Sequence, residues 1–157
     1  MSKVRGKYFD DIQVGDVFET GRRTVTLTDI VNFACLSGDF NEVHTNWEYC
    51  KETPFGEPIA HGPLVYSIAA GLNYASGIND GTLVALLGTD DWRMVAPVKS
   101  GDTIFMRSEV LETRLTSKGD RGVVTVRRTI FNQRQEVVQQ MVSKMLFRCR
   151  PSDDSDD

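Results

Sequence analysis

The chain has 157 residues, 40% hydrophobic and 25% charged, which is the length of one domain of ~100–200 residues with an ordinary globular composition, so collagen-like and disordered architectures are excluded. Eighteen Lys and Arg face 22 Asp and Glu, and four of the acids lie in the last seven residues, so residues 1–150 carry 18 charges of each sign. A dedicated nucleic-acid binder shows a basic excess, and this body has none.

The first residues, Met1 to Asp10, lack the apolar run of a signal peptide. Residues 1–15 read as loop, with Asp10-Asp11 and Gly15-Asp16 as turn signals. Val17 to Leu27 is β-rich and is predicted as a strand. Thr28 then offers a helix N-cap, Ile30, Phe33 and Ala34 share a helical face, and Gly38 stands where that helix closes. A short helical turn is expected from Asn46 to Thr53, before Pro54. Gly62 to Ser76 is predicted as a longer helix, with Pro63 suited to its first turn. That helix carries no charge on any face, so it is expected to be buried all round. The uncharged stretch Pro58 to Asn79 is long enough to span a bilayer, but His61, Ser67, Asn73, Ser76 and several glycines interrupt it, and a transmembrane helix is rejected.

The second half changes period. Leu83 to Val98 is an apolar run, and Thr103 to Thr116, Gly122 to Phe131 and Val137 to Cys149 are long, β-branched, partly alternating runs. Ser117 to Arg121 and Asn132 to Glu136 join them as hairpin turns. A buried helix followed by such a meander implies an α+β fold, a curved antiparallel sheet wrapped around a central helix. Residues 1–150 are read as one domain. Pro151 to Asp157 has no apolar residue beyond its proline and is expected to be a disordered acidic tail. A single curved sheet leaves edge strands to be covered, so a homodimer or a multiple of it is expected. Cys35, Cys50 and Cys149 are odd in number, far apart and without a CxxC pair, which argues against zinc and disulfides and for a reducing cytoplasm.

Only two histidines occur, His44 and His61, and both fall in one 31-residue stretch, Ser37 to Ser67. It contains Ser37-Gly38-Asp39-Phe40-Asn41-Glu42-Val43-His44 and Pro58-Ile59-Ala60-His61-Gly62-Pro63-Leu64-Val65-Tyr66-Ser67. Asp39 and His44, in a loop between two short helices, can turn to one point, where a carboxylate beside an imidazole makes a proton-transfer pair. Asn41 between them can orient either group or a water. Gly62 would begin the uncharged helix, where its free N–H and the helix dipole can receive a developing oxyanion. Ser67, further along the helix, can bond the loop that carries the pair. The blander readings are an Asx-turn for Asp39 and Asn41, a structural histidine for His44, a plain helix start for Gly62 and a serine bonded back to its own helix for Ser67.

The pattern Ser-Gly-Asp-x-Asn-x-x-His followed by Pro-Ile-Ala-His-Gly-x-Leu-x-x-Ser resembles the (R)-specific enoyl-CoA hydratases and the wider MaoC-like dehydratases, and Trp92-Arg93-Met94-Val95-Ala96-Pro97-Val98 with Gly101-Asp102-Thr103 looks like their second-half signature. The resemblance runs from about Tyr8 to Phe147. Glu42-Val43 stands where many members have proline and an aliphatic residue. The resemblance implies a hot-dog fold and reversible addition of water to a trans-2-enoyl-CoA thioester. It implies that Asp39 and His44 hold the water, Asn41 helps place them, the Gly62 N–H binds the thioester oxygen, and Ser67 supports the loop. It calls for no metal or redox cofactor, since CoA is carried by the substrate, and for side-by-side sheets in a two-fold dimer. A hot-dog acyl-CoA thioesterase and a non-catalytic acyl-CoA-binding subunit are the alternatives. Tyr66, Tyr74, Trp47 and Trp92 are candidate pocket residues; Lys51, Arg93, Lys99 and Arg107 are candidate phosphate contacts, unranked.

Overall fold

The computed structural model describes residues 5–151, so all of the expected acidic tail except Pro151 lies outside the described residues. A 3₁₀ turn, Phe9–Asp11, precedes two short strands, β1 (Val17–Glu19) and β2 (Arg23–Thr24). Three helices follow, α1 (Leu27–Ser37), α2 (Glu42–Thr45) and α3 (Trp47–Lys51), and then the longest one, α4 (Gly62–Ala75). The rest is strand: β3 (Leu83–Met94), β4 (Thr103–Leu115), β5 (Arg121–Phe131) and β6 (Val137–Arg148).

The sheet runs β1-β4-β5-β6-β3, antiparallel throughout, with β2 also paired to β4. It curves around α4, which is the hot-dog arrangement expected from the sequence. Alternation fixes the sheet's inner face: along β5, Val124, Val126, Arg128 and Ile130 are buried, while the residues between them are at least partly exposed. The core has two parts. Val65, Ile68 and Ala69 of α4 meet Ile104, Met106, Ile130 and Met141 of the sheet, together with Val25 and Ile30. Ile12 joins Val110, Val124, Val126, Met145 and Phe147 at the other end. Each fully buried Ile, Val or Phe contributes about 1.5–3 kcal/mol relative to an exposed one.

Three expectations are corrected. The predicted strand Val17–Leu27 is two short strands, because at Thr20 the Met106 N–H is taken by the threonine hydroxyl at 3.0 Å. The first helix is capped by Thr26, not Thr28: the Thr26 hydroxyl accepts from the Asp29 N–H, and the Asp29 carboxylate accepts from the Thr26 N–H, a capping box. The helix α4 is not buried all round. Its inner face holds Leu64, Val65, Ile68, Ala69 and Asn73, but Pro63, Ser67, Gly71 and Tyr74 form an exposed stripe. The sheet covers one side only, and the small Ser67 and Gly71 leave little apolar area on the other that needs cover. No helix among the described residues is long and apolar enough to cross a membrane.

Candidate active site

The chain between α1 and α4 is held by caps, with Cys50 and Ala60 as buried anchors. Gly38 closes α1 in the left-handed conformation at φ 76°, which only glycine adopts cheaply. The chain then turns through Asp39, whose carboxylate oxygen accepts the Asn41 N–H at 3.2 Å. The Asx-turn reading is therefore correct as geometry, and it coexists with a site. Asn41 caps α2, its amide oxygen accepting from the Val43 N–H. Hence His44 sits on a one-turn helix, not in an open loop. Asn41 places it through that cap rather than by a side-chain bond to the pair.

His44 is half-buried, and its Nδ1 lies 2.7 Å from the Ile59 carbonyl. A carbonyl only accepts, so Nδ1 carries a proton, and in the neutral ring Nε2 is the nitrogen with the lone pair. His61, at the N-cap of α4, is buried and its Nε2 donates to the Asp39 backbone carbonyl at 2.9 Å. The two imidazoles stack, with centroids 3.7 Å apart and planes 27° apart. Phe33 of α1 closes on His61 at 5.0 Å. Thus Asp39, His44 and His61 come within 4.8 Å of one another, each through one ligand-type atom. One nitrogen of each ring is already spent, His44 Nδ1 on the Ile59 carbonyl and His61 Nε2 on the Asp39 carbonyl, so each ring has one nitrogen left for a ligand.

Gly62 opens α4, where its N–H has no intrahelical acceptor. Its carbonyl accepts from the Gln139 amide at 2.8 Å, and Gln139 in turn accepts from the Trp92 indole at 3.0 Å. A Cβ on Gly62 would lie 2.5 Å from the Met94 terminal methyl, so the absence of a side chain lets Met94 close over the helix start. His44, Gly62, Met94 and Gln139 line a cavity of about 330 Å³ with otherwise apolar walls, among them Phe55, Ile59, Val65 and Val98. That is the size and character of a small-molecule site. Phe55 and Ile59 are fixed by Lys99, whose ammonium donates to the Phe55 carbonyl at 2.6 Å and pairs with Glu57, and by the Ile59–Lys99 bridge. Lys99 is therefore engaged in holding this wall. Beneath α2, burial, and then the charge of Glu42, push the Cys50 thiol pKa up, so it is an inert core group.

Ser67 is not brought to the site. It is exposed and its hydroxyl donates to the Pro63 carbonyl of its own helix at 2.8 Å, so the expected bond to the Asp39–His44 segment is replaced by local back-bonding. Sequence reasoning missed His61 and Gln139 as positioning groups. The first was visible as one of only two histidines; the second comes from the far strand β6 and left no local signal.

The MaoC like domain family matches residues 11–131. Protein MaoC of Klebsiella aerogenes is 46% identical over 101 residues, 64% of this chain but 30% of that protein, so the chain spans less than a third of that relative's length. The 3-hydroxybutyryl-CoA dehydratase of Methylorubrum extorquens is 30% identical over 112 residues, 71% of this chain and 69% of that protein. In structure, the monoamine oxidase regulatory protein of Archaeoglobus aligns with a TM-score of 0.86 at 40% identity, covering 93% of this chain and 97% of that one. With fold, paired motifs and profile in agreement over most of its length, the chain belongs to the MaoC-like domain family.

Proposed function

We propose that this chain is a hydro-lyase that reversibly adds water to trans-2-enoyl-CoA thioesters by means of Asp39 and His44. The observation that carries this reading is the placement of His44: its Nδ1–H is spent on the Ile59 carbonyl, which leaves Nε2 as the acceptor of the neutral ring, and a nitrogen of that ring lies within 4.8 Å of an Asp39 carboxylate oxygen. A water between two acceptors donates both protons and turns its oxygen lone pair outward, towards C3 of a bound enoyl group. As the C3–O bond forms, one member of the pair takes a proton from the water, and that same proton is then passed to C2, which returns the pair to its starting state. The charge that passes to the thioester oxygen meets the Gly62 N–H and the positive end of α4. No step calls for a metal or redox group; CoA enters with the substrate. The dehydratase relative named above is consistent with this chemistry.

The chain is further read as a homodimer or a multiple of it. Strand β3 is a sheet edge bearing exposed Val84, Leu86, Leu87 and Trp92, the kind of edge that proteins pair or cover. Its three thiols are unpaired, which suits a reducing cytoplasm. The test offers crotonyl-CoA and a longer trans-2-enoyl-CoA, following enoyl absorbance and free thiol together. Loss of enoyl absorbance alone is the expected result; thiol release identifies a thioesterase, and no change identifies a binding subunit. Light scattering at micromolar concentration should give at least twice the monomer mass, and a monomer would end the dimer reading.

A further inference from the structure

A second cavity, of about 420 Å³, lies along α4 beyond the first. Tyr66, one helical turn or about 6 Å past Gly62, lines it together with Asn73, Tyr74, Met145 and Arg128. Arg128 points inward from β5 and is only 5% exposed. Its guanidinium donates to the Tyr66 hydroxyl at 3.1 Å and touches the Met145 sulfur at 2.8 Å, and its Nε has no partner. No carboxylate among the described residues forms an ion pair with it; the one acidic residue lining the cavity, Asp80, is paired with Arg5 at 2.8 Å. A buried charge without a counter-charge is strongly disfavoured, and an arginine presents a planar fork matched to a carboxylate. Burial pushes its pKa down, opposed only by Tyr66.

A run of side-chain contacts lies between the two cavities. Tyr66 packs on Trp92 at 5.5 Å, Trp92 bonds Gln139, and Gln139 bonds the Gly62 carbonyl. An acyl group whose thioester lay at Gly62 and whose chain followed α4 would have to pass Tyr66 and Trp92 to meet Arg128. We propose that the cavity beside Arg128 is a carboxylate subsite, and that the acyl group handled here ends in an acid rather than in a methyl. This rests on the hydro-lyase reading. The ligand's carboxylate would supply the missing counter-charge, accepting from two guanidinium N–H groups of Arg128, with the Tyr66 hydroxyl beside them.

The test compares two trans-2-enoyl-CoAs of equal chain length, one ending in methyl and one in carboxylate. The wild-type protein should show kcat/KM at least about tenfold higher for the acid, since a site with buried donors discriminates against a substrate that leaves them unpaired. In Arg128→Met the ratio should collapse towards one, and in Arg128→Lys, which keeps the charge but loses the fork, it should lie between. A wild-type ratio of one or below overturns the subsite while leaving the hydro-lyase reading intact. If neither thioester is hydrated, that reading fails, and calorimetry with the two saturated acyl-CoAs still decides the subsite. Tenfold tighter binding of the acid supports it, and equal affinity overturns it. Because the wild-type ratio is decisive alone, the result stands even if Arg128→Met fails to fold.

Discussion

Around the start of α4, His44, His61 and Gln139 are each tied to a backbone carbonyl, whereas one turn further on Arg128 faces the second cavity with no counter-charge among the described residues. The first region spends one atom of each imidazole on anchoring and so fixes what the other atom can do. The second leaves a strong donor unmatched. Chemistry needs groups held in one protonation pattern before the substrate arrives, while recognition of an ion gains most where the protein cannot satisfy its own charge. The same helix serves both ends, so the turn of backbone between Gly62 and Tyr66 sets the spacing between reacting centre and far end.

The comparison breaks most directly at the Asp39–His44 pair, of which His44 lines the first cavity. Asp39→Asn keeps shape and hydrogen bonding but removes the charge, and His44→Gln removes the imidazole base. Each should lower kcat by about 10²–10⁴, the usual contribution of a general acid or base. If the two hold one water, they act as a unit, and the double variant should fall little below the worse single one. Near wild-type hydration rates in both folded variants would leave Asp39-Phe40-Asn41 as a turn and nothing more.

A smaller effect is expected from the anchor. His61→Phe keeps an aromatic ring against His44 and Phe33 but deletes the donor to the Asp39 carbonyl. It should lower kcat by about tenfold, since a misplaced group costs up to ~10²-fold, with KM little changed because the apolar walls stay. A rise in KM at constant kcat would show that His61 shapes the pocket and does not position Asp39.

The contrast between the regions also predicts opposite stability responses. Removing an anchored group should destabilise, but Arg128→Met removes a buried charge that nothing pairs. Replacing buried ionic groups by apolar ones of similar volume is often neutral or stabilising, by about 1–4 kcal/mol for pairs or triads. The melting temperature without ligand should therefore hold or rise. A clear drop would mean that the bond to Tyr66 outweighs desolvation, and that Arg128 is a structural strut.

How much of this could be read from the sequence follows from range. Strands β4, β5 and β6 lie within a residue or two of their predicted bounds, because β-branched alternation is a local signal. The Thr26 cap was legible too: Thr26 and Asp29 have capping-box spacing, but the β-rich run before them hid it. Arg128 follows Val124 and Val126 in the buried phase of β5, so alternation places it inward, although what it faces depends on α4. Asp39, His44 and Gly62 were legible because one short stretch carries them. Gln139 and the stacking of His61 on His44 were not, because they arise only when β6 and α4 fold against that stretch.

A modest effect is expected at the cap of α1, which carries Phe33 to His61. Burial would raise the Asp29 pKa, but the bonds from Thr26 and Arg23 outweigh it and hold it below 3.8. A carboxyl depressed in the folded state contributes stability that is complete above its unfolded pKa and is lost as pH falls through the folded value. Thr26→Ala should cost about 0.5–2 kcal/mol at neutral pH, and should flatten the loss of melting temperature below about pH 4. An unchanged acid limb would show that other carboxylates dominate there.

The smallest effect should come from Ser67→Ala. The serine hydroxyl is exposed and bonds the Pro63 carbonyl four residues back, an arrangement that slightly destabilises a helix. Alanine is the better helix former by a few tenths of a kcal/mol, so the melting temperature should hold or rise slightly. Within this chain the side chain touches nothing in the first cavity, so kcat should stay within about twofold, as for surface changes that alter stability by less than ~0.5 kcal/mol. Ser67 nevertheless lies on the one stripe of α4 that the sheet leaves open. A tenfold loss of kcat at unchanged melting temperature would therefore mean that a second copy of the chain closes on that stripe and brings Ser67 into contact with the site.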